Sequence, residues 1–175
     1  MTVPAVVGRR ASDVVARADW PEAGDPAAPP VVPGFVVSSF APLVAVVAGR
    51  CLGRATALVE VIPERTAIVI VTARGDVTSA AYVADAVDTG ARIGPLMFFQ
   101  SVPNAIAGHL ATQYALEGPV VCLSPAGDTD PLAAGLAEAE LLMSDGDAGA
   151  ALVIVVEQDP DTAYAVLAVP DGGEK

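Results

Sequence analysis

Four short apolar runs, separated by segments of helical character, set the pattern of this chain. They cover residues 66–72, 120–124, 151–156 and 163–169 and are rich in Val, Ile, Leu and Ala. Continuous runs of this length are typical of strands that are buried on both faces of a sheet. The last run predicts an antiparallel or edge strand. The chain is therefore predicted to be α/β, with a mostly parallel, mixed sheet flanked by helices.

Capping residues indicate where the intervening helices begin. Pro42 fits the first turn of the first helix, Gly90 ends the second, and the fourth extends to Ser144. Side-chain oxygens that can accept from unpaired backbone amides are typical of helix N-termini. The four predicted starts are Ser39, Asp76 or Thr78, Asn104 and Asp130.

The first 34 residues are set apart by their composition. Residues 3–7 are apolar and residues 9–17 are charged, and together they predict an edge strand with a turn. The density of proline between residues 20 and 34 excludes a helix or a central strand there, so this part is predicted to be a surface loop. The chain is divided into residues 1–34, a strand and proline-rich loop, and residues 35–175, the main unit, within one domain overall.

The charge balance excludes several classes of partner. The formal net charge is −12 at pH 7, and 53% of the residues are hydrophobic. Nucleic acids and anionic membrane surfaces both require clustered basic residues, so neither is predicted as a partner. The only lysine is Lys175, which removes internal Schiff-base chemistry and a phosphate-binding P-loop. We expect no signal peptide and no membrane span, and therefore a cytoplasmic protein.

No metal or other cofactor is predicted. The only histidine, His109, excludes a multi-histidine centre. Asp145, Asp147 and Glu157 are too sparse for a dedicated divalent-metal cage, so we expect them to be solvated loop charges.

The two cysteines, Cys51 and Cys122, are too few for a disulfide framework. Cys51 falls on the apolar face of the first predicted helix, and Cys122 falls inside a predicted strand. In such places a cysteine usually acts as a small, inert hydrophobic residue, and that is the role expected for both.

Three segments carry a resemblance to a known family. Residues 94–108 read GPLMFFQSVPNAIAG, residues 118–126 read GPVVCLSPA, and residues 145–157 read DGDAGAALVIVVE. In this order they resemble the N-terminal region of β-ketoacyl synthases of the thiolase superfamily, and especially a shorter ketosynthase-like N-terminal subfamily. The resemblance implies a thiolase-like half-fold. The residues that match the family motif are Phe99, Ser101, Val102, Asn104, Gly108, Gly118 and Pro119.

The resemblance also implies where catalysis would take place. Family members carry a nucleophilic cysteine at a turn from a strand into a helix, where the helix N-terminus favours the thiolate. The match at residues 118–119 puts Gly127 at that position. The family takes its two catalytic histidines and a lysine from a C-terminal half, which we do not expect here, so independent condensation activity is not predicted. The vestigial nucleophile elbow comprises Ser124, Pro125, Ala126, Gly127 and Asp128.

Two interpretations of the segment around this elbow are open. Gly127 could let backbone amides approach an anion or an acyl carbonyl. The favoured interpretation is helix capping, with Asp128, Thr129 or Asp130 accepting from backbone amides and Pro131 at the first helical position.

The family implies a role in fatty-acid-like or polyketide pathways that use discrete proteins. We expect a non-catalytic accessory or scaffold protein of a type II polyketide or fatty-acid-like pathway, which associates with itself or with a ketosynthase partner. The alternative is a small enzyme that hydrolyses or dehydrates acyl thioesters, or an acyl-chain binder that uses the vestigial cavity. Its weak catalytic candidates are His109, Ser124 and Cys122. A triad of the first two with Asp128 lacks a Gly-x-Ser-x-Gly sequence.

Half of a ketosynthase fold would leave a broad apolar surface open, so association is expected. In the family, the strand that corresponds to residues 120–124 pairs across the dimer axis. The candidate interface residues are therefore Val120, Val121, Cys122, Leu123 and Ser124.

An acyl carrier protein is a possible partner, but the net charge disfavours it because carrier proteins are themselves acidic. A local cluster of arginines could provide an exception. The arginines considered are Arg50, Arg54, Arg65, Arg74 and Arg92.

Overall fold

Five strands form one sheet in the computed structural model, which describes residues 12–59 and 61–171. In chain order they are β1 (Ser12–Trp20), β2 (Thr66–Val71), β3 (Val120–Leu123), β4 (Ala150–Glu157) and β5 (Thr162–Pro170). Across the sheet the order is β1-β5-β4-β2-β3. Among the described strands, β1 and β3 are therefore the two edges.

The sheet is mixed. β2 lies parallel to both β3 and β4, whereas β5 is antiparallel to β4 and to β1. Parallel neighbours need a long crossover connection, and helical segments supply it between β2 and β3 and between β3 and β4. β4 and β5 are joined by a short turn, which permits only an antiparallel pair. The predicted mixed sheet with flanking helices is confirmed. The last apolar run, β5, is antiparallel as predicted, and it lies between β4 and β1 rather than at an edge.

In the part of the chain that the structure describes, five α-helices connect and cover the strands. They are α1 (Phe40–Ala55), α2 (Val77–Thr89), α3 (Pro95–Gln100), α4 (Asn104–Tyr114) and α5 (Pro131–Ser144), and a 3-10 turn spans Pro63–Arg65. Asp76 is the N-cap of α2, as predicted, and its carboxylate accepts from the Ser79 amide. Ser39 holds the predicted N-cap position of α1, but its side chain makes no capping hydrogen bond. Gly90 ends α2 in the left-handed conformation, with φ of 68°.

The prediction was wrong in the segment before β3. Asn104 does not cap a helix; it is the first residue of α4, behind Pro103, and its side chain makes no capping hydrogen bond. The fixed φ of proline suits the start of a helix, and the Val102 carbonyl, not a side chain, accepts from the Ala105 amide at 2.9 Å. The short helix α3 was not predicted, because six residues are too few to show a helical period.

The two faces of the sheet are covered unequally. Ile68 and Ile70 of β2 point into a large core with α1 and α4, whereas Val69 and Val71 point towards α5. All six residues of β2 are buried. This explains why the apolar runs are continuous rather than alternating. In the described part of the chain, α5 alone covers the second face.

Arginines of α1 hold the proline-rich loop that follows β1. The guanidinium of Arg50 pairs with the Asp25 carboxylate at 2.5 Å and lies 5.2 Å from the ring centre of Trp20. Arg54 pairs with Glu22 at 2.8 Å. As predicted, β1 is an edge strand; it ends at Trp20, and residues 21–34 form neither helix nor strand beyond one bridge. Residues 3–7 lie outside the described part, and the boundary at residue 34 stays a prediction.

Within the described ranges, every helix is too short or too polar to cross a bilayer. The same residues contain no group of three or more His, Cys, Asp or Glu side chains that could hold a metal ion. The expected cytoplasmic location and the expected lack of a cofactor stay predictions.

Candidate functional site

The predicted elbow is the loop that leads from β3 to α5. Gly127 lies at its centre with φ of 63°, a left-handed conformation that favours glycine. An added Cβ would meet no atom within 4 Å, so the loop projects into solvent at this point. Because glycine has no side chain, the residue that the family resemblance puts at the nucleophile position supplies no nucleophile.

The first turn of α5 is capped by the chain itself. The Asp130 carboxylate accepts a hydrogen bond from the Ala133 amide at 2.8 Å, and Pro131 occupies the first helical position. The Thr129 hydroxyl donates to the Ala126 carbonyl at 2.9 Å. The capping interpretation is confirmed, with Asp130 as the cap. A bound anion would have to displace a carboxylate from this helix end.

Removing this cap has a defined expected cost. We expect Asp130→Ala to lower the free energy of unfolding by about 1 kcal/mol, because the Ala133 amide loses its acceptor. Asp128→Ala is the matched control: it removes the same charge from the same exposed loop and should change stability by less than about 0.5 kcal/mol. Urea unfolding of both variants measures the difference. Equal losses would contradict the assignment of Asp130 as the cap.

Ser124 follows directly after β3 and serves the backbone. Its hydroxyl lies 3.0 Å from the Thr72 carbonyl oxygen and 2.9 Å from that of Ala73, both just beyond β2. The hydroxyl proton is thus directed to carbonyls, and no base takes it. This contact fixes the edge strand to its neighbour.

His109 belongs to a different part of the molecule. It lies half-buried on α4, with its ring edge-on to Phe35 at 6.1 Å between ring centres. It lines an open groove of about 430 Å³ on the α1 side, between the proline-rich loop and α4. Asp128 is exposed in the elbow loop and makes no ion pair with a described residue. The structure therefore does not assemble the Ser124–His109–Asp128 triad.

Cys122 is held as a thiol on the edge strand. Its Sγ donates to the Asn104 side-chain oxygen at 2.8 Å, which links β3 to the start of α4. Partial burial raises the pKa of the Cys122 thiol above its usual range. Cys51 is fully buried, and burial raises its pKa to about 11. Both thiols are thus kept protonated near neutral pH, in contrast to a catalytic cysteine.

These pKa directions predict low reactivity at neutral pH. A raised pKa lowers the fraction of thiolate at every pH below that pKa. Alkylation of the native protein by iodoacetamide at pH 7.5 should therefore be slower than alkylation of free cysteine. The rate should rise steeply towards pH 10, and Cys122→Ala should remove nearly all of the labelling. Mass spectrometry of tryptic peptides measures the sites. Cys122 is exposed by its surface area, so rapid modification at pH 7 would contradict the raised pKa of its thiol and not a lack of access.

The family-motif residues fall into two structural groups. Gly118 packs directly against the backbone at the start of β2, and Asn104 contacts Cys122. Phe99 is 57% exposed, and neighbouring Phe98 is 75% exposed. Val102 is exposed too, and Gly108 faces open space. The second group has no packing role within the described residues.

Sequence reasoning missed a buried polar network that fixes the start of α2. Asp76 accepts from the hydroxyls of Ser38, at 2.6 Å, and Ser79, at 2.7 Å. The Gln158 side-chain amide donates to the hydroxyls of Ser38 and Thr78. The sequence signal for this network was Gln158, which directly follows a buried strand. An unpaired side-chain amide at such a place would lower stability, so a polar partner was to be expected. The network links the starts of α1 and α2 to the end of β4.

The outer edge of β3 offers unpaired backbone groups. The Ile68 amide donates to the Pro119 carbonyl and the Thr72 amide to the Leu123 carbonyl, so these carbonyls face β2. Backbone direction alternates along a strand, and therefore the amides and carbonyls of Val120 and Cys122 face outwards. No described strand lies on that side.

A groove of about 300 Å³ runs between β3 and α5. Its lining is apolar apart from the Ser124 hydroxyl and the Glu138 carboxylate. α5 has apolar residues around its whole circumference, but only Gly135 and Ala139 are buried. Much of the apolar surface of α5 is thus only partly covered. The lining residues are Leu123, Ser124, Pro125, Ala134, Ala137, Glu138 and Leu141.

The arginines do not form a common basic patch in the described residues. Arg50 and Arg54 are engaged by carboxylates of the proline-rich loop. Arg65 donates to the Gly146 carbonyl, and Arg74 donates to that of Gln158, at opposite ends of β2. Arg92 lies exposed in the segment between α2 and α3.

Solved structures of ketosynthases share this fold. The chain is similar to a chain of the ketosynthase ApeO in complex with its chain length factor ApeC from Xenorhabdus doucetiae, with a TM-score of 0.70 and 20% identity over 93% of this chain and 80% of that one. It is also similar to the ishigamide ketosynthase/chain length factor, with a TM-score of 0.65 and 20% identity over 82% of this chain and 47% of that one.

A third similar structure is AntDE:AntF, a type II PKS acyl-carrier protein in complex with its ketosynthase bound to the hexaketide. The TM-score is 0.65, with 12% identity over 94% of this chain and 64% of that one. The chain thus spans about half to two thirds of the second and third of these structures. At these identities the likeness establishes a shared, thiolase-like ketosynthase fold.

The sequence itself matches a family model. The model of the beta-ketoacyl synthase N-terminal domain covers residues 38–171, well over half of the chain, and includes every motif residue named above. No curated protein matches the sequence closely enough to count as a relative. Fold and sequence agree, and the chain belongs to the family of beta-ketoacyl synthase N-terminal domains.

Proposed function

We propose that this protein is a non-catalytic, ketosynthase-like accessory component of a type II polyketide or fatty-acid-like pathway. It acts by association, either with a ketosynthase-like partner or with itself. The observation that carries the proposal is the amount of apolar surface left uncovered around α2, α3, β3 and α5.

This surface is large for a domain of this size. On α2, Tyr82 is 47% exposed and Val87 is 68% exposed, and only Ser79 and Ala86 of that helix are buried. The exposed Phe98 and the partly covered α5 extend the pattern. Contiguous apolar surface of this kind usually marks a protein–protein interface. Solvent exposure of two neighbouring phenylalanines has no benefit for an isolated domain.

The chemistry of the elbow supports a non-catalytic role. Condensation of acyl thioesters by a cysteine needs a nucleophile that is activated, for example by a base within reach. Gly127 has no side chain, the Ser124 hydroxyl is directed to backbone carbonyls, and Cys122 is held as a thiol. His109 lies on the α1 side beside Phe35. The geometry therefore favours association over the alternative of a small thioester enzyme or an acyl-chain binder.

The named neighbours support the choice of partner class. Two of them are ketosynthase and chain length factor assemblies, and a third contains an acyl-carrier protein. A ketosynthase-like chain is therefore the proposed partner. A carrier protein is less favourable, because the net charge of −12 repels another acidic protein and the arginines do not form a common basic patch.

Co-purification tests the proposal. The tagged chain is co-expressed with the ketosynthases of its own organism, and the recovered complexes are assayed for condensation of acyl thioesters, beside each protein alone. We expect a stable complex and no turnover by the isolated chain. The complex should turn over acyl thioesters, and this turnover should be unchanged by His109→Ala, Ser124→Ala and Cys122→Ala. Turnover by the isolated chain that one of these substitutions abolishes would contradict the proposal.

A further inference from the structure

We propose that the groove between the proline-rich loop, α1 and α4 binds a neutral, flat aromatic molecule that carries hydroxyl or carbonyl oxygens along one edge. The groove lies on the face of the sheet that α1 covers, whereas α5 covers the other face. The inference goes beyond the proposed function and does not depend on it. It is carried by the size of the groove, its uncharged lining and three polar side chains of α4.

The groove has the size and the apolar lining of a small-molecule site. Its volume is about 430 Å³, and sites of roughly 300–1,000 Å³ usually hold such ligands. Pro42, Ala45 and Val46 of α1 form one wall, and residues 30–33 of the proline-rich loop form another. Proline and short apolar side chains lose little rotamer freedom when a ligand covers them. These walls therefore suit the face of a flat molecule.

The wall that the loop forms is ordered without a ligand. Arg50 pairs with Asp25 near the start of the loop. Near its end Val32 and Phe35 are both buried, and the Phe35 amide donates to the Val32 carbonyl at 3.0 Å. Val31 lines the groove and is 81% exposed, so a ligand would cover apolar surface that now faces water. A wall that is already ordered lowers the entropic cost of binding.

The α4 wall carries three polar side chains, those of His109, Gln113 and Tyr114. Their spacing of four and five residues puts them on one side of the helix. Among the described residues, the hydrogen bonds made by α4 side chains involve only Asn104 and Thr112. No described residue therefore uses the polar atoms of the three side chains in the groove, and a ligand edge that carries oxygen atoms can bind them.

Gly49 of α1 makes room for the hydroxyl of Tyr114. A Cβ at position 49 would lie 2.6 Å from the Tyr114 hydroxyl oxygen, so a larger residue would displace the phenol ring. Glycine inside a helix lowers stability by up to about 1 kcal/mol relative to alanine. Burial raises the pKa of Tyr114 above its ordinary value, so the hydroxyl stays protonated at neutral pH and can donate to a ligand oxygen.

The lining favours a neutral aromatic ligand over a charged group or an alkyl chain. It contains no Asp, Glu, Lys or Arg, so a charged group would lose hydration without gaining an ionic partner. An alkyl chain would cover the polar side chains of α4 without bonding to them, which is unfavourable. A rigid aromatic ring can lie against the α1 wall while oxygens along one edge bind the α4 wall, and it loses little freedom on binding.

Proton NMR of the full chain tests the inference, because His109 is the only histidine and its imidazole signals report on this groove. The probe is 2-naphthol at about pH 7.5. Naphthalene, which lacks the oxygen, and naphthalene-2-sulfonate, which adds a charge, are the comparison compounds. We expect 2-naphthol to shift the His109 signals saturably, and both comparison compounds to bind at least about five-fold more weakly. An absent shift, a shift that does not saturate, or equal binding of naphthalene would overturn the inference.

Two pairs of substitutions locate the ligand. Tyr114→Phe removes only the hydroxyl and should weaken 2-naphthol binding about five-fold, whereas Tyr82→Phe on the exposed side of α2 should leave it unchanged. Ala45→Phe fills the proposed groove and should remove the shift, whereas Ala137→Phe fills the groove between β3 and α5 and should not. Equal binding by Tyr114→Phe and wild type would overturn the inference, even if Ala45→Phe fails to fold. Loss of binding in Ala137→Phe alone would overturn it too.

Discussion

Gly118→Ala should cost about 3 kcal/mol of unfolding free energy, one of the largest single-residue effects on stability that we expect. A Cβ at this position would lie 2.5 Å from the carbonyl carbon of Thr66 and 2.7 Å from the amide nitrogen of Ala67. These are backbone atoms at the start of β2, which cannot rotate away as a side chain could. The methyl group must therefore push β3 away from β2.

Gly53→Ala is the matched control for this substitution. It adds the same methyl group inside α1, where a Cβ would meet no atom within 4 Å. We expect it to stabilise the protein by up to about 1 kcal/mol, the usual preference for alanine within a helix. Thermal unfolding should place Gly118→Ala roughly 6–12 °C below wild type. Equal melting temperatures for Gly118→Ala and wild type would contradict the close approach of β3 to β2.

Val120→Pro should weaken binding of a ketosynthase-like partner about 30- to 100-fold, on the order of 2–3 kcal/mol. The amide of Val120 faces the outer edge, so proline removes a donor to the partner while the hydrogen bonds to β2 remain. Proline is tolerated on an edge strand where its nitrogen faces solvent, so the fold should be kept. Isothermal titration of the variant with the co-purified ketosynthase measures the change.

Two control substitutions separate edge pairing from folding. Val120→Thr keeps both the backbone amide and the β-branched shape, and should bind within about three-fold of wild type. Val121→Pro removes an amide that faces β2, and should lower stability by about 3 kcal/mol. If Val120→Pro binds as tightly as Val120→Thr, the partner does not pair with β3, and the apolar surface around α2 and α3 becomes the expected contact.

Most of the fold could be predicted because its signals are local. Each apolar run became a strand within one or two residues, since β2 and β4 are buried on both faces and need apolar residues throughout. Asp76, Gly90 and Asp130 fixed helix ends by capping chemistry that depends only on nearby residues. Local hydrogen bonds of this kind can be read from sequence.

The site was harder to predict because it depends on contacts between distant segments. The Ser124 hydroxyl contacts backbone carbonyls 51 and 52 residues earlier in the chain, and the Cys122 thiol contacts the side chain of an asparagine 18 residues earlier. The network around Gln158 joins three elements that are far apart in sequence. α3 was missed because six residues are too few to show a helical period, and the exposure of Leu96, Phe98 and Phe99 is explained only by the proposed partner surface.

Native mass determined by light scattering tests the central claim of association most directly. The chain is measured alone and after co-expression with the ketosynthases of its own organism. We predict one stable complex whose mass equals the sum of this chain and a ketosynthase. A mass that stays at that of a single chain in the presence of every ketosynthase would contradict the account.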